Sequence, residues 1–211
     1  MPPVDKQASS RTADSTRPMP AANALADAVE FFKAFLGHPR RTASIVPSSN
    51  RLIERVARQA KVGEAACVVE LGPGTGGSTR TLLGRMGPRS RLLAIEMNPA
   101  FHAHLCRHIP DPRLRAECGS AEDLAEHLAA HRLPAPDAIV SGIPFSTMPA
   151  ATGERIAAAI ARCLAPGGRF VAYQWTPSVA ERTTPHLGEP RQEWELWNLP
   201  PMRVYTWVKP S

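Results

Sequence analysis

From residue 67 onward the chain alternates short apolar runs with helical patterns of about ten residues, and no other feature narrows the possible folds as much. Strand-like runs fall at 67–71, 91–96, 113–118, 137–141 and 168–175, with helical patterns at 77–86, 99–109, 121–131 and 152–164 between them. A helix between successive strands carries the chain back to the start of the next one, so this rhythm predicts a mostly parallel sheet with helices on both faces. Asn98 and Pro99 supply a capping side chain and a first-turn proline at one helix entry, and "CLAPGGRF" supplies a glycine stop before the fifth strand. After Trp175 the rhythm changes. A loop or short helix at 177–187 precedes two consecutive strand-like runs, "QEWELWNL" and "MRVYTWVK", whose tight joint at Pro200 and Pro201 predicts an antiparallel pair at one sheet edge. The α/β class follows, with ligands expected at the carboxyl ends of the strands near the switch in strand order.

The first of these turns is "CVVELGPGTGGSTRTLL", residues 67–83. Its glycines fit two spacings. Gly72, Gly74 and Gly77 satisfy the dinucleotide pattern GxGxxG, and Gly72, Gly74 and Gly76 satisfy the GxGxG turn of S-adenosylmethionine sites. The acids around the loop separate the two. Glu70 at the exit of the first strand can accept from the α-amino group of a methionine moiety but repels a pyrophosphate. Glu96, twenty residues after Gly76, ends the second strand and suits a ribose diol. Two acids in this order favour a cofactor carrying net positive charge, S-adenosylmethionine. After the third strand, "CGSAEDL" places Ser120 and the backbone of Ala121 where an adenine edge can lie, and "SAED" has equally the form of a helix cap box.

A length of 211 residues with 43% hydrophobic and 21% charged residues suits one globular core. The predicted organisation is a disordered tail at 1–20, a helical segment at 21–61 and a core at 62–211. No window is apolar enough to span a membrane, and the first twenty residues lack the apolar centre of a signal peptide, so a cytoplasmic protein is expected. Four cysteines without compact spacing predict no metal site, and Cys67 and Cys118 read as small buried strand residues. The net charge of +6 is uneven: residues 1–61 hold ten Lys/Arg against five Asp/Glu. Within them, 21–37 carries an amphipathic stripe of Leu25, Val29, Phe32 and Leu36, and a second helix is expected at 49–59 with Leu52, Ile53 and Val56 inward.

With "FFKAFLGHPRRTASIVPSS" at 31–49, "VVELGPGTGGSTRTLL" at 68–83, "IEMNPAF" at 95–101, "VSGIPFSTMP" at 140–149 and "LAPGGRFVAYQWTP" at 164–177, the chain resembles the class I S-adenosylmethionine-dependent methyltransferases, and within them the soluble bacterial phospholipid N-methyltransferases. The resemblance implies a seven-stranded Rossmann-like sheet, stepwise methylation of phosphatidylethanolamine towards phosphatidylcholine, and peripheral attachment to the inner face of the cell membrane. It places Glu70, Gly72 and Gly74 at the methionine end, Glu96 and Met97 at ribose and adenine, and Ser120 and Ala121 at the adenine edge. Ser120 departs from the Asp common in relatives. Ser48 and Ser49 are implied to cover the cofactor, and Ser141 to address the acceptor from the fourth strand.

A lipid amine must lose a proton before it attacks a methyl group, and its methylated products favour aromatic faces. Tyr173 and Trp175 are the candidate aromatics, and His186 the candidate proton acceptor. Phe31, Phe32 and Phe35, followed by Arg40 and Arg41, offer apolar insertion and attraction to an anionic phospholipid surface. Two alternatives remain open at this point. "SGIPF" is close to the loop with which adenine N-methyltransferases hold a base, although Ser141 replaces its Asn or Asp, and a non-catalytic nucleoside-binding membrane module shares the same glycine loop. No stable nucleic-acid partner is expected.

Overall fold

The computed structural model describes residues 50–196 and 201–211. Ser48, Ser49, Phe31, Phe32, Phe35, Arg40 and Arg41, with the segments expected at 1–20 and 21–37, lie outside the described residues. The first described element is a helix, α1 (Asn50–Gln59), which buries Leu52, Ile53, Val56 and Ala57 along one side.

β1 (Cys67–Leu71) is buried at every residue, which suits the centre of a sheet covered on both faces. It pairs in parallel with β2 (Arg91–Glu96) on one side and β4 (Ala138–Ser141) on the other, with Val69 opposite both Leu93 and Ile139. β3 (Leu114–Cys118) continues beyond β2, and β5 (Arg169–Gln174) beyond β4, both in parallel. β7 (Met202–Val208) lies antiparallel against β5, and β6 (Arg191–Glu195) antiparallel against β7. The order is β3-β2-β1-β4-β5-β7-β6, seven strands in one sheet. The expected mostly parallel sheet with an antiparallel edge pair is therefore present, and the order reverses between β1 and β4. That switch opens a crevice at the carboxyl ends of those two strands.

Period-two alternation divides the core into two layers. Val68, Leu92, Ala94, Val140 and Val171 pack with α1, α2 (Gly77–Arg85) and α3 (Pro99–His108). Val69, Leu93, Ile139, Phe170 and Ala172 pack with α4 (Leu124–Ala130), α5 (Ala150–Cys163) and α6 (Ser178–Leu187). α3 starts as the sequence predicts: Asn98 Oδ1 accepts from the amides of Ala100 and Phe101, and Pro99 fills the first helical position. The helix expected at 121–131 begins instead with a 3-10 turn at Ala121–Asp123, because Ser120 Oγ accepts from Glu122 N and tightens the first turn. Segment 177–187 is helical, with Pro185 tolerated in the last turn of α6.

Cys67 is buried as expected, but Cys118 is exposed. It ends the edge strand β3, past the cover of the helices, so the alternation that marks a strand there does not bury it. At the other edge, Trp207 stacks on Phe170 with ring centroids 5.0 Å apart and donates its indole N–H to Gly188 O at 3.0 Å. Arg55 of α1 clamps the outermost strand, lying 3.1 Å from Glu195 and donating to Trp194 O at 2.8 Å. Among the described residues, no helix is long and apolar enough to cross a membrane.

Candidate active site

The glycine loop leaves β1 through three glycines of positive φ, where a side chain is strained. Their surroundings differ. A Cβ on Gly72 would meet Ile143 Cγ1 at 3.0 Å, whereas one on Gly74 would meet nothing within 4 Å, so Gly74 presents the open side of the loop. A Cβ on Gly76 would lie 2.5 Å from Ile109 Cδ1 and 2.7 Å from Leu105 Cδ2. Gly76 is therefore required for close packing on α3 and as the left-handed N-cap of α2, beside any contact its backbone makes with a ligand.

Glu70 and Glu96 stand on the face shared with Val68, Leu92 and Ala94, each only 2% exposed. Glu70 Oε2 accepts from Thr79 Oγ1 at 2.7 Å in the first turn of α2, where the helix N-terminus favours an anion. Burial nevertheless pushes its pKa up to about 7, with the hydroxyls of Ser78 and Thr79 opposing the rise and the Glu96 charge adding to it. Glu96 bridges two segments: Oε2 accepts from Gly74 N at 2.9 Å and Oε1 from Asn98 N at 2.8 Å. Burial raises its pKa as well, against the pull of those amides. Thus Glu96 holds the open glycine at the end of β2, with backbone amides of the two segments filling most of its acceptor sites.

The third wall comes from β5. Tyr173 packs on the same layer as Glu70 and Glu96, and its hydroxyl lies 2.6 Å from where a Cβ on Gly142 would be. Only glycine at 142 allows the phenol to close over the end of β4, within reach of the loop after β1. The sequence signals for Gly142 and Gln174 are slight: a glycine directly after the fourth strand and a polar residue inside an apolar strand. Gln174 is buried on the opposite face and donates from Nε2 to Ile143 O. Arg182 of α6 donates from Nη1 to Phe145 O at 2.9 Å, so two side chains anchor the 141–145 turn from behind.

Other expected residues fall elsewhere. Ser141 is fully buried, and its hydroxyl accepts from Ile143 N at 3.3 Å, a turn-forming contact that faces away from Tyr173. His186 sits in the last turn of α6, 3.6 Å from Glu154 of α5, on the helical layer across the sheet from Tyr173. The structure does not bring either together with the aromatic wall. Met97 is half-buried beside Glu96, and Ala121 is buried in the 3-10 turn. Ser120 Oγ accepts from Glu122 N and caps that turn, the serine half of the cap box that "SAED" suggests. Phe145 is fully buried and fills the core beneath the turn. Trp175 is 56% exposed.

The chemistry of this donor set fits S-adenosylmethionine. Two buried carboxylates stand at adjacent strand ends, and among the described residues no lysine or arginine pairs with either of them. A dinucleotide pyrophosphate would oppose ionisation of that pair further, whereas a sulfonium and an ammonium favour it.

A family of methyltransferase domains matches residues 68–168. An ornithine lipid N-methyltransferase of Singulisphaera acidiphila is 31% identical over 178 residues, which cover 83% of this chain and 92% of that protein. The chain belongs to the class I S-adenosylmethionine-dependent methyltransferases. The small-subunit ribosomal RNA methyltransferase A of Nocardia farcinica is 34% identical over 97 residues, covering 44% of the methyltransferase described here and 32% of that enzyme. In fold, the methyltransferase is similar to the N-methyltransferase NodS of Bradyrhizobium japonicum in complex with S-adenosylhomocysteine. The TM-score is 0.64 at 14% identity, with 86% of this chain and 99% of NodS covered. The enzyme thus uses S-adenosylmethionine as its cofactor.

Proposed function

We propose that this methyltransferase methylates the primary amine of a membrane aminolipid head group. The observation that carries the reading is the match to the ornithine lipid N-methyltransferase, which runs over nearly the whole of that protein and extends past the cofactor-binding half into the strands that form the acceptor side. The ribosomal RNA methyltransferase shares a much shorter stretch with this chain. An ornithine head group and the phosphatidylethanolamine expected from the sequence present the same chemistry, a primary ammonium on a short alkyl arm. The match favours the ornithine lipid.

When bound, S-adenosylmethionine supplies an electrophilic methyl group. In this reading Glu96 and Gly74 hold the nucleoside end, with Met97, Ser120 and Ala121 along the base, and Glu70 and Gly72 lie towards the methionine end. The loop after β4 and the ring of Tyr173 border the amine and align it with the methyl group, a positioning role that by itself accelerates transfer substantially. Trp175 lies farther out on the same strand and offers a π-face to a methylated ammonium. With His186 on the other layer, water at the crevice mouth takes the proton released by the ammonium. Residues 21–41, with Phe31, Phe32, Phe35, Arg40 and Arg41, are proposed from their sequence to contact an anionic bilayer.

Incubation with radiolabelled S-adenosylmethionine and vesicles containing ornithine lipid, vesicles containing phosphatidylethanolamine, or structured RNA tests the reading. Label in a lipid amine is the expected result. Label in RNA alone would replace the reading with a base methyltransferase.

A further inference from the structure

Among the described residues four large apolar side chains are strongly exposed: Trp175 at 56%, Trp194 at 45%, Leu196 at 70% and Val208 at 49%. Strand register places three of them at one end of the sheet, with Trp194 on the Gln174 face and Trp175 in the row that follows on the Tyr173 face. Gln174 is opposite Arg203, and Arg203 is opposite Trp194, so these residues form one row across β5, β7 and β6. The next row outward holds Trp175, Met202 and Glu195, and Leu196 follows Glu195 at the rim. Val208 is opposite Arg169, at the far end of the same strands. The three exposed side chains therefore crown the end of the sheet that carries Glu70, Glu96 and Tyr173, and Trp175 is the second residue beyond Tyr173.

The charges around them are suited to an anionic surface. The Arg203 guanidinium lies over the Trp194 ring, 4.7 Å from its centroid. Glu193 and Glu195, the acids of this edge, are both engaged by Arg55, at 3.7 and 3.1 Å, and Glu193 also by Arg191 at 2.9 Å. Arg55 and Arg191 balance the two glutamates, and Arg203 leaves a surplus of one positive charge beside Trp194. Two tryptophans and a leucine beside cations have the composition of a protein surface that settles at a lipid head-group boundary.

We infer that the exposed end of the β5–β7–β6 edge, built on Trp175, Trp194 and Leu196, is a second membrane-contacting surface, separate from residues 21–41, that sets the acceptor crevice against an anionic bilayer. The inference rests on the aminolipid reading and deepens it: with this end on the head groups, a lipid amine reaches Tyr173 without leaving the membrane.

The double variant Trp194→Ser/Leu196→Ser tests it, because neither residue belongs to the cofactor or acceptor site. Full-length protein is co-sedimented with phosphatidylcholine vesicles containing phosphatidylglycerol, and affinity for S-adenosylhomocysteine is titrated in parallel. The double variant is expected to bind vesicles about tenfold more weakly, since two partly inserted apolar side chains are lost, while nucleoside affinity stays within about twofold. Val208→Ser, at the opposite end of the sheet, is expected to bind like the parent. Vesicle binding by the double variant equal to that of the parent, or no binding by the parent, overturns the inference. So does a fall in oligomeric mass at unchanged vesicle binding, which would make the patch a contact between copies of the chain. If the parent binds vesicles and the variant does not, yet no lipid amine acquires label, the membrane surface stands and the aminolipid reading fails.

Discussion

β1 and β2 end in carboxylates gripped by a hydroxyl and by backbone amides, whereas β4 and β5 end in a buried serine, a glycine, a tyrosine and an exposed tryptophan. The first half of the crevice is fixed by hydrogen bonds made inside the sheet and the glycine loop. Its polar atoms are aimed before any ligand arrives, which suits a cofactor common to many acceptors. The second half is shaped by contact: a phenol rests on a residue that has no side chain, and two anchors hold the turn from behind. A wall of that kind changes with single substitutions, which suits the part of an enzyme that chooses its acceptor.

The contrast is broken most severely at Glu70. The folded chain holds a proton there up to about pH 7, whereas an unperturbed glutamate releases it near 4.5. Between those values the folded state binds more protons, so this group lowers stability as pH rises through that window, by about 3 kcal/mol in all. Urea unfolding of Glu70→Gln against the parent across the window is expected to show the parent losing stability relative to the variant as pH rises. Parallel pH profiles would mean that Glu70 is not buried as a strained acid.

Next in size is Glu96→Ala, which strands the amides of Gly74 and Asn98 and removes the proposed ribose contact. Calorimetry is expected to find S-adenosylmethionine binding weakened roughly thirtyfold, about 2 kcal/mol, with a lower Tm. Unchanged affinity would detach the carboxylate from the cofactor half.

On the acceptor half, Gly142→Ala pushes a methyl group against the Tyr173 hydroxyl. Methyl transfer is expected to fall about tenfold with cofactor affinity nearly intact, as for a misplaced aligning group. Removing the hydroxyl as well, in Gly142→Ala/Tyr173→Phe, should recover part of the rate. A double variant no faster than the single one would show that the collision is not what matters. The smallest effect is expected at His186→Ala, less than about twofold in rate, because its contact with Glu154 lies on the opposite layer from Tyr173. A large drop in initial rate would move the proton acceptor back to this histidine.

The cofactor half was the legible half for a physical reason. Glycine spacing, strand-end acids and the Asn98–Pro99 start are local signals, and the structure places Gly74, Glu70 and Glu96 around one loop as the sequence suggests. The packing demand on Gly76 is not legible there because its neighbours, Leu105 and Ile109, come from a helix some thirty residues on. The acceptor half depends on which face of a strand each residue takes and on which helix lies behind it. Ser141 and Tyr173 are both strand-end residues in the sequence, yet they point to opposite layers, and His186 is separated from the crevice by the sheet itself. Gln174 and Arg182 carry no motif at all, since their roles arise only when β5 and α6 meet the turn after β4.

The position of β7 between β5 and β6 also dictates an order of assembly. β6 is synthesised before β7, and among the described residues β7 is its strand partner, so residues 191–195 have no ladder to join until residues 202–208 emerge. The clamp from Arg55 to Trp194 then closes across 139 residues of chain. The aromatic corner follows the strands around the glycine loop in the chain, so it is completed after them as the chain emerges, although its own β6–β7 pairing is local. During synthesis the glycine loop and its strands therefore precede the edge that carries Trp194.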